Sequence, residues 1–150
     1  MTEDSEELLQ RLKGLFVSQR LCVLATQGGG QPYGSLVAFA ESDDLKHLVF
    51  ATRRDSRKYS NLIAEPRVAL LIDSRSNRDS DFRDAIAVTA IGNAGESGGG
   101  DRSGLARTYL AKHPFLAEFI SSPETALCRV DIEFYVIARF GNVEKLQMHG

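Results

Sequence analysis

The sequence predicts an α+β domain, mainly β, in which six antiparallel strands form a small barrel and helices are inserted at strand connections. Short apolar segments separated by compact turns indicate the strands. The final segment alternates over an unusual length, and the regular strand–helix alternation of a parallel sheet is missing. Because 150 residues suffice for one domain with a hydrophobic core, we expect residues 1–150 to form a single domain.

The first element is an amphipathic helix, expected at residues 5–17. Its first turn is acidic, and its apolar residues follow the spacing of one helix face. That face consists of Leu8, Leu9, Leu12, Leu15 and Phe16.

The next apolar segments predict an antiparallel meander, a short helix and a fourth strand. The first three strands are expected at residues 21–26, 35–40 and 46–52. A helix is expected at 55–64, and Pro66 closes it. The strand that follows, 67–72, is apolar enough to be buried on both faces.

The second half of the chain begins with a polar segment, 73–84, which lacks periodicity and predicts a mobile surface loop. A fifth strand is expected at 85–95, followed by a glycine-rich loop at 96–104. A helical insertion at 104–121 should break at Pro114, because proline lacks the amide hydrogen and suits a helix start.

The last strand, 125–140, is the clearest element. From residue 126 to residue 140 every even position is apolar, whereas the charges fall on odd positions. So long a strand is expected to bend around a barrel rather than to lie in an open sheet.

Composition argues against several classes of protein. The net charge of -2 argues against general nucleic-acid binding, and no apolar run approaches the ~20 residues of a membrane span. The acidic start is unlike a signal peptide, so we expect a cytoplasmic protein. Cys22 and Cys128 each lie in an apolar run and are expected to be buried free thiols.

Four cations lie where the third strand ends and the next helix begins: Arg53, Arg54, Arg57 and Lys58. The amino end of a helix carries partial positive charge, so it favours an anion over these cations. In one interpretation the cations form a solvated patch that is partly paired with acids such as Asp55 and Glu65. In the other, a phosphate binds the helix amides and the cationic side chains, with help from Ser56 and Asn61.

Other motifs carry less information. The glycine-containing segment 27–34 lacks the spacing of a dinucleotide-binding loop and opens no helix, so it predicts a hairpin turn. His47, His113 and His149 have no metal-ligand spacing, and no strand–turn–helix motif indicates a nucleophile. Any chemistry is therefore expected to come from a bound cofactor.

Three segments of the chain carry a family resemblance: GQPYGSLVAFA, LVFATRRDSRKYSNLIAEPRVALLI and VTAIGNA. They resemble the pyridoxamine 5'-phosphate oxidase-like FMN-binding proteins, which have the split-barrel fold. The carboxyl-terminal segments TYLAKHPFLAEF and ALCRVDIEFYVIARFGNVEKL are similar to the branch that includes the haem-utilisation proteins. The resemblance covers residues 6–146.

The resemblance implies a six-stranded split barrel that forms a homodimer with FMN at the subunit interface. It places the FMN phosphate on Arg57 and Lys58, with Arg53, Ser56 and Asn61 nearby. It places the isoalloxazine ring along the backbone of Ser35, Leu36 and Val37, with Ala51 and Thr52 on the third strand.

The chain also departs from the family pattern. It has no tryptophan, it lacks the elements that bind pyridoxal phosphate, and a flavin-contacting glutamine falls near Ala87. Oxidation of pyridoxamine phosphate is therefore not expected.

The favoured hypothesis is an FMN-dependent oxidoreductase acting on an unidentified small molecule or electron donor, with loop 73–84 as a lid. The alternatives are a flavin- or haem-binding carrier or sensor, a haem-degrading protein with His113 or His149 as the haem ligand, and a barrel without a cofactor.

Overall fold

The computed structural model describes residues 3–148, with side chains from residue 5 onward. The strands are β1 (Leu21–Gly28), β2 (Gln31–Glu41), β3 (His47–Arg53), β4 (Arg67–Asp73), β5 (Ala87–Glu96), β6 (Thr125–Arg139) and β7 (Asn142–Gln147). The helices are α1 (Glu3–Ser18), α2 (Arg57–Ala64), α3 (Asp81–Asp84), α4 (Gly99–Lys112) and α5 (Ala117–Ser121), with a 3₁₀ turn at Pro114–Leu116. None of these helices combines the length and the apolar character that a membrane crossing needs.

Six of the strands close into an antiparallel barrel. They neighbour one another in the order β3-β2-β1-β4-β5-β6, and β6 pairs with β3 to complete the circle. Every pairing is antiparallel. The predicted fold, mainly β with a six-stranded antiparallel barrel, is therefore confirmed.

Strand β6 changes partners along one of its edges. Its first part, Thr125–Asp131, pairs with β3, and its second part, Phe134–Arg139, pairs with β7. Strand β5 follows the other edge, with a register shift between Ile91 and Gly92. Glycine is needed there, because a β-carbon would lie 2.1 Å from the backbone oxygen of Asp131. The long strand thus serves both the barrel and an added hairpin.

The seventh strand is absent from the sequence prediction. Gly141 adopts a φ of +74° and allows the tight turn that starts β7. Most residues of β7 are polar or exposed, and Leu146 is its buried apolar residue. The strand therefore lacks the apolar alternation by which the others could be recognised.

Helix α1 fills the end of the barrel where β2 finishes, which we call the α1 end. The ring of Phe16 lies 5.8 Å from that of Phe39 and 5.7 Å from that of Tyr135, centroid to centroid. Nearby, the ammonium of Lys112 donates to Glu41 Oε1 at 2.8 Å and to the carbonyl oxygen of Phe16 at 2.7 Å. These contacts fasten the end of α4 to the ends of α1 and β2.

Helices α4 and α5 pack on the outer face of β2, β3 and β6. Their buried residues Tyr109 and Ile120 form a second apolar cluster with strand residues that include Leu127. This cluster sits outside the barrel core and holds the helical insertion against the sheet.

Helix α4 begins earlier than expected. It starts at Gly99, so the prediction of a loop throughout 96–104 is wrong. Gly98 supplies the extended conformation of an N-cap, and Asp101 lies in the first turn, where a negative charge is favourable.

Strand β4 is buried on one face, so the prediction that it is buried on both is wrong. Leu70 and Ile72 are buried, whereas Leu71 is exposed. Leu71 pairs with Val23, which in turn pairs with the exposed Leu36. The apolar residues of β4 therefore contribute to an apolar patch outside the barrel as well as to its core.

The polar segment 73–84 contains the short helix α3. The Asp81 carboxylate accepts hydrogen bonds from the backbone N–H groups of Ser76, Asn77 and Arg78 at 2.7–3.3 Å. These local bonds give the segment a defined conformation that its composition does not predict.

Cys22 and Cys128 are free and buried. Burial raises the pKa of each thiol to about 12, so both stay protonated at neutral pH. The prediction of buried free thiols is confirmed.

Candidate functional site

A groove opens on the outside of the barrel where β2 and β3 stop pairing. In the described chain, the two strands are in register from Glu41–Leu48 to Phe39–Phe50 and no further. Beyond this point β2 continues along β1 as far as Gln31, while β3 continues along β6 as far as Arg53. The facing edges therefore expose backbone groups that lack a cross-strand partner.

The groove has a volume of about 360 Å³ and lies between β2, β3, the start of α2 and the helical insertion. The strands contribute Leu36, Val37, Ala38, Ala51, Thr52 and Arg53, and the start of α2 contributes Asp55, Ser56 and Lys58. The insertion contributes Tyr109, Leu116 and Phe119. The groove is therefore apolar along the strands and the insertion, with charged residues at the α2 side.

Two of the four clustered cations are held by acids. Arg53 bonds to Asp55 at 3.1 Å and to Glu124 at 2.8 Å. Arg54 bonds to Glu96 and to the carbonyl oxygen of Pro123. These pairs agree with the solvated-patch interpretation for these two residues.

Glu96 joins Arg54 to helix α2. Its carboxylate also accepts a hydrogen bond from the Tyr59 hydroxyl at 2.6 Å. Hydrogen bonds from Arg54 first and Tyr59 second hold the pKa of Glu96 below its usual value. These hydrogen bonds of Glu96 with Arg54 and Tyr59, which link the end of β3, α2 and β5, are called the Glu96 clasp below. Arg54 belongs to this clasp and does not line the groove.

Arg57 and Lys58 differ from these two arginines. Neither side chain has an ion pair or hydrogen bond within the described chain, and both residues occupy the first turn of α2. Backbone N–H groups in a first turn have no partner inside the helix. Two cations and two helix amides are therefore available together beside the groove.

Ser56 and Thr52 shape the start of α2. Ser56 is the N-cap, and its Oγ accepts from the Tyr59 amide at 3.2 Å. The hydroxyls of Thr52 and Ser56 lie 2.8 Å apart and share a hydrogen bond. Both hydroxyls are thus hydrogen-bonded within the protein. They contribute to the groove mainly by fixing the position of the start of α2.

Seven of the ten predicted cofactor residues line the groove: Leu36, Val37, Ala51, Thr52, Arg53, Ser56 and Lys58. Arg57 is exposed one residue before Lys58. Ser35, which is expected to contact the ring through its backbone, and Asn61 are not among the groove-lining residues. The Ser35 hydroxyl is buried without a partner, and Asn61 is buried with its amide donating to Thr26 Oγ1 at 3.1 Å.

Asn61 also limits the residue opposite it. A β-carbon on Gly28 would lie 2.3 Å from Asn61 Oδ1. The Asn61 side chain therefore packs inside the barrel rather than reaching the exposed cations.

Five groove residues are not among those that the sequence predicts: Ala38, Asp55, and from the insertion Tyr109, Leu116 and Phe119. The last three come close to the strands because α4 and α5 fold back over β2 and β3. No local pattern records which residues of an insertion will meet a distant strand, so no sequence signal indicates them.

The histidines do not form a site in the described residues. His113 is buried, and its Nε2 lies 2.7 Å from the carbonyl oxygen of Phe39. It is therefore held in the protein and is not presented to an external haem. His47 Nδ1 lies 3.0 Å from Asp131, and His149 lies outside the described residues.

Structural comparison shows the same fold in several solved proteins. A heme binding protein from Mycobacterium smegmatis is 17% identical with a TM-score of 0.83, covering 99% of this chain and 59% of its own. ChuZ from Campylobacter jejuni is 13% identical with a TM-score of 0.79, covering 95% of this chain and 60% of its own. The chain thus spans about three-fifths of the length of these two proteins.

A third similar structure is matched over most of its length. A FAD-binding protein from Mesorhizobium loti is 20% identical with a TM-score of 0.68, covering 85% of this chain and 90% of its own. At these identities the similarity establishes the fold.

Sequence comparison gives the family. No curated protein sequence matches the chain. The family model described as pyridoxamine 5'-phosphate oxidase matches residues 5–133, from α1 into β6. Since this match covers most of the chain and the barrel has the expected strand order, the protein belongs to the pyridoxamine 5'-phosphate oxidase family.

Proposed function

We propose that this protein binds FMN in the groove and acts as a flavin-dependent oxidoreductase on a small molecule. The observation that carries the proposal is the pair of cations without acid partners, Arg57 and Lys58, at the helix start beside an apolar groove. Such a pair fits a phosphate, whereas the neighbouring Arg53 and Arg54 are neutralised by acids.

The residues present fit the two halves of FMN. Arg57, Lys58 and the first-turn amides of α2 would hold the phosphate. The unpaired strand edges at Leu36 and Ala51 would contact the polar rim of the flavin ring, and the apolar groove wall would cover its face. Bound FMN would supply the exchange of hydride or electrons, while these residues position it and exclude water.

The proposed substrate is a small molecule or electron donor other than pyridoxamine phosphate, because Ala87 lies near the position of a flavin-contacting glutamine in the named oxidases. A carrier or sensor without turnover is the alternative. Reduction of the bound flavin by NADH or NADPH, followed by stoichiometric reoxidation by an acceptor, would support the oxidoreductase over the carrier.

Flavin binding is tested by comparing FMN with riboflavin, which lacks the phosphate. In the double variant Arg57→Ala/Lys58→Ala, FMN affinity should fall about 100-fold, since a hydrogen bond to a charged group contributes about 1.5–3 kcal/mol. Riboflavin affinity should stay within about twofold of the wild type. Flavin fluorescence quenching measures both affinities.

A matched control removes two exposed charges elsewhere. Arg11→Ala/Arg20→Ala changes α1 and the residue before β1, neither of which lines the groove, and should leave FMN affinity unchanged. Equal loss of FMN and riboflavin binding in the Arg57/Lys58 variant would place the phosphate elsewhere. A wild-type protein that binds neither flavin would contradict the proposed function.

We also propose that two copies associate through the outer face of β1, β2 and β4. There, Leu36, Val23 and Leu71 form one cross-strand row, and Gly34, Ala25 and Ala69 form the next. Leu36 is 66% exposed, and such an apolar patch is typical of an interaction surface.

Light scattering tests the association. Leu71→Lys should convert a dimer to a monomer, whereas Ile63→Lys, on an exposed residue of α2, should not. A wild-type monomer at micromolar concentration would contradict the proposed dimer.

A further inference from the structure

Tyr109 has a hydroxyl without a hydrogen-bond partner in the described chain. Its residue is 1% exposed and lines the groove from α4, and its Oη retains some contact with solvent. The hydroxyl of a tyrosine that is so largely enclosed usually has a hydrogen-bond partner. A ligand in the groove would supply one.

The surroundings of Tyr109 are apolar. Its ring contacts that of His113 at 5.2 Å and packs in the cluster that includes Ala51 and Leu127. Leu116 and Phe119 lie beside it along the groove wall. Among the groove residues of the insertion, Tyr109 is therefore the one that carries a side-chain polar atom.

The fold satisfies its other fully buried tyrosine. Tyr135 is also inaccessible to solvent, and its hydroxyl donates to the carbonyl oxygen of Leu45 at 2.7 Å. The unsatisfied hydroxyl of Tyr109 is therefore a property of the groove wall rather than of buried tyrosines in this protein.

The charged residues of the groove influence which ligands the Tyr109 hydroxyl can meet. Lys58 lines the groove without an acid partner, whereas Arg53 and the groove's acid Asp55 are paired with each other. This balance favours ligands with acceptor atoms over cationic ligands. Burial also raises the pKa of Tyr109 to about 12, so its hydroxyl keeps the proton that it would donate.

We propose that Tyr109 donates a hydrogen bond to a carbonyl oxygen of a planar conjugated ligand in the groove. The proposal rests on the proposed flavin function, because the carbonyl belongs either to the flavin ring or to a quinone-like substrate beside it. The groove lining combines strand residues with the apolar side chains of Leu116 and Phe119, which suits the face of a flat conjugated ligand.

Tyr109→Phe removes the donor and keeps the ring. If the acceptor is a flavin carbonyl, FMN and riboflavin should both bind about 3- to 10-fold more weakly, the effect of one lost hydrogen bond. The flavin carbonyl stretch in the Raman spectrum should also shift to higher frequency. Loss of both flavins distinguishes this effect from that of the Arg57/Lys58 variant, in which FMN alone is weakened.

If the acceptor is a substrate carbonyl, flavin binding should stay unchanged. The FMN-loaded variant should then bind the quinone 2-methyl-1,4-naphthoquinone about 3- to 10-fold more weakly than loaded wild type. Tyr135→Phe is the matched control, because it removes a buried hydroxyl far from the groove and should change neither affinity.

Unchanged binding of both flavins and of the quinone would overturn the role of Tyr109 while leaving the FMN proposal standing. A wild-type protein that binds no flavin would instead contradict the proposed function. Quinone titration of the cofactor-free wild type and of Tyr109→Phe would then decide on Tyr109, with equal affinities overturning its role.

Discussion

The two ends of the barrel treat their polar groups differently. At the α1 end, the partly buried Lys112 has three partners: the Glu41 carboxylate, the Phe16 carbonyl and the face of the Phe39 ring, 3.9 Å from its ammonium. The Tyr135 hydroxyl at the same end is bonded to Leu45.

At the opposite end, where β3 runs into α2, comparable groups are left without partners in the described chain. Arg57 and Lys58 have no acid partner, and the Tyr109 hydroxyl has no acceptor. Arg57 is exposed and Lys58 is half-buried, so water can solvate both cations and their lack of acid partners costs little stability. The difference indicates that the α1 end serves stability and that the groove end is arranged for a ligand.

The largest expected effect is at the α1 end. Phe16→Ala should lower the free energy of unfolding by about 3–5 kcal/mol, because it empties a ring-sized space next to Phe39 and Tyr135. Val17→Ala, at the adjacent 72% exposed position, should change it by less than about 0.5 kcal/mol. Urea unfolding measures both. A small effect of Phe16→Ala would mean that α1 contributes little to the core.

The two lysines at opposite ends give the next largest contrast. Lys112→Met should lower the free energy of unfolding by about 2–3 kcal/mol, because it leaves the mostly buried Glu41 carboxylate unpaired. Lys58→Met should change it by less than about 0.5 kcal/mol, since no partner is lost. Similar decreases in unfolding free energy for the two variants, measured by urea unfolding, would contradict the difference proposed between the two ends.

Disruption of the Glu96 clasp should have an intermediate effect on the free energy of unfolding. Glu96→Gln should lower the free energy of unfolding by about 1–2 kcal/mol at pH 7, because it removes the charge that accepts from Arg54 and Tyr59. The control is Glu65→Gln, an exposed residue of the same region, which should have little effect.

The pH dependence follows from the sign of the shift. The pKa of Glu96 is lower in the folded than in the unfolded protein, chiefly because of Arg54. Its contribution is therefore complete above the unfolded pKa of about 4.3 and is lost as pH falls through the folded pKa. The difference between wild type and Glu96→Gln should shrink between pH 5 and pH 3, and a constant difference would assign it to something other than the charge.

Sequence patterns predict those parts of the molecule whose neighbours are close in the chain or strictly periodic. The alternation of β6 and the apolar face of α1 are readable because burial imposes a period of two or about 3.6 residues. The cation cluster is readable because its four residues lie within six positions.

Contacts between distant residues are not readable in this way. Glu96 and Glu124, which neutralise Arg54 and Arg53, lie 42 and 71 residues beyond them. Their pairing decides which two of the four cations lack acid partners. The sequence alone therefore does not distinguish Arg57 and Lys58 from Arg53 and Arg54 as the available cations. The same holds for Tyr109, which meets the groove because the insertion folds back across β2 and β3.

The smallest effect separates the two buried tyrosines. Tyr135→Phe should lower the free energy of unfolding by about 1 kcal/mol, because the Leu45 carbonyl loses its donor. Tyr109→Phe should leave the stability of the ligand-free protein unchanged within about 0.5 kcal/mol, since its hydroxyl has no partner within the described chain to lose. Paired urea unfolding curves measured on one preparation each, without ligand, resolve a difference of this size. Equal losses would mean that the Tyr109 hydroxyl already has a hydrogen-bond partner in the ligand-free protein. That result would contradict the proposal that its partner is a ligand carbonyl.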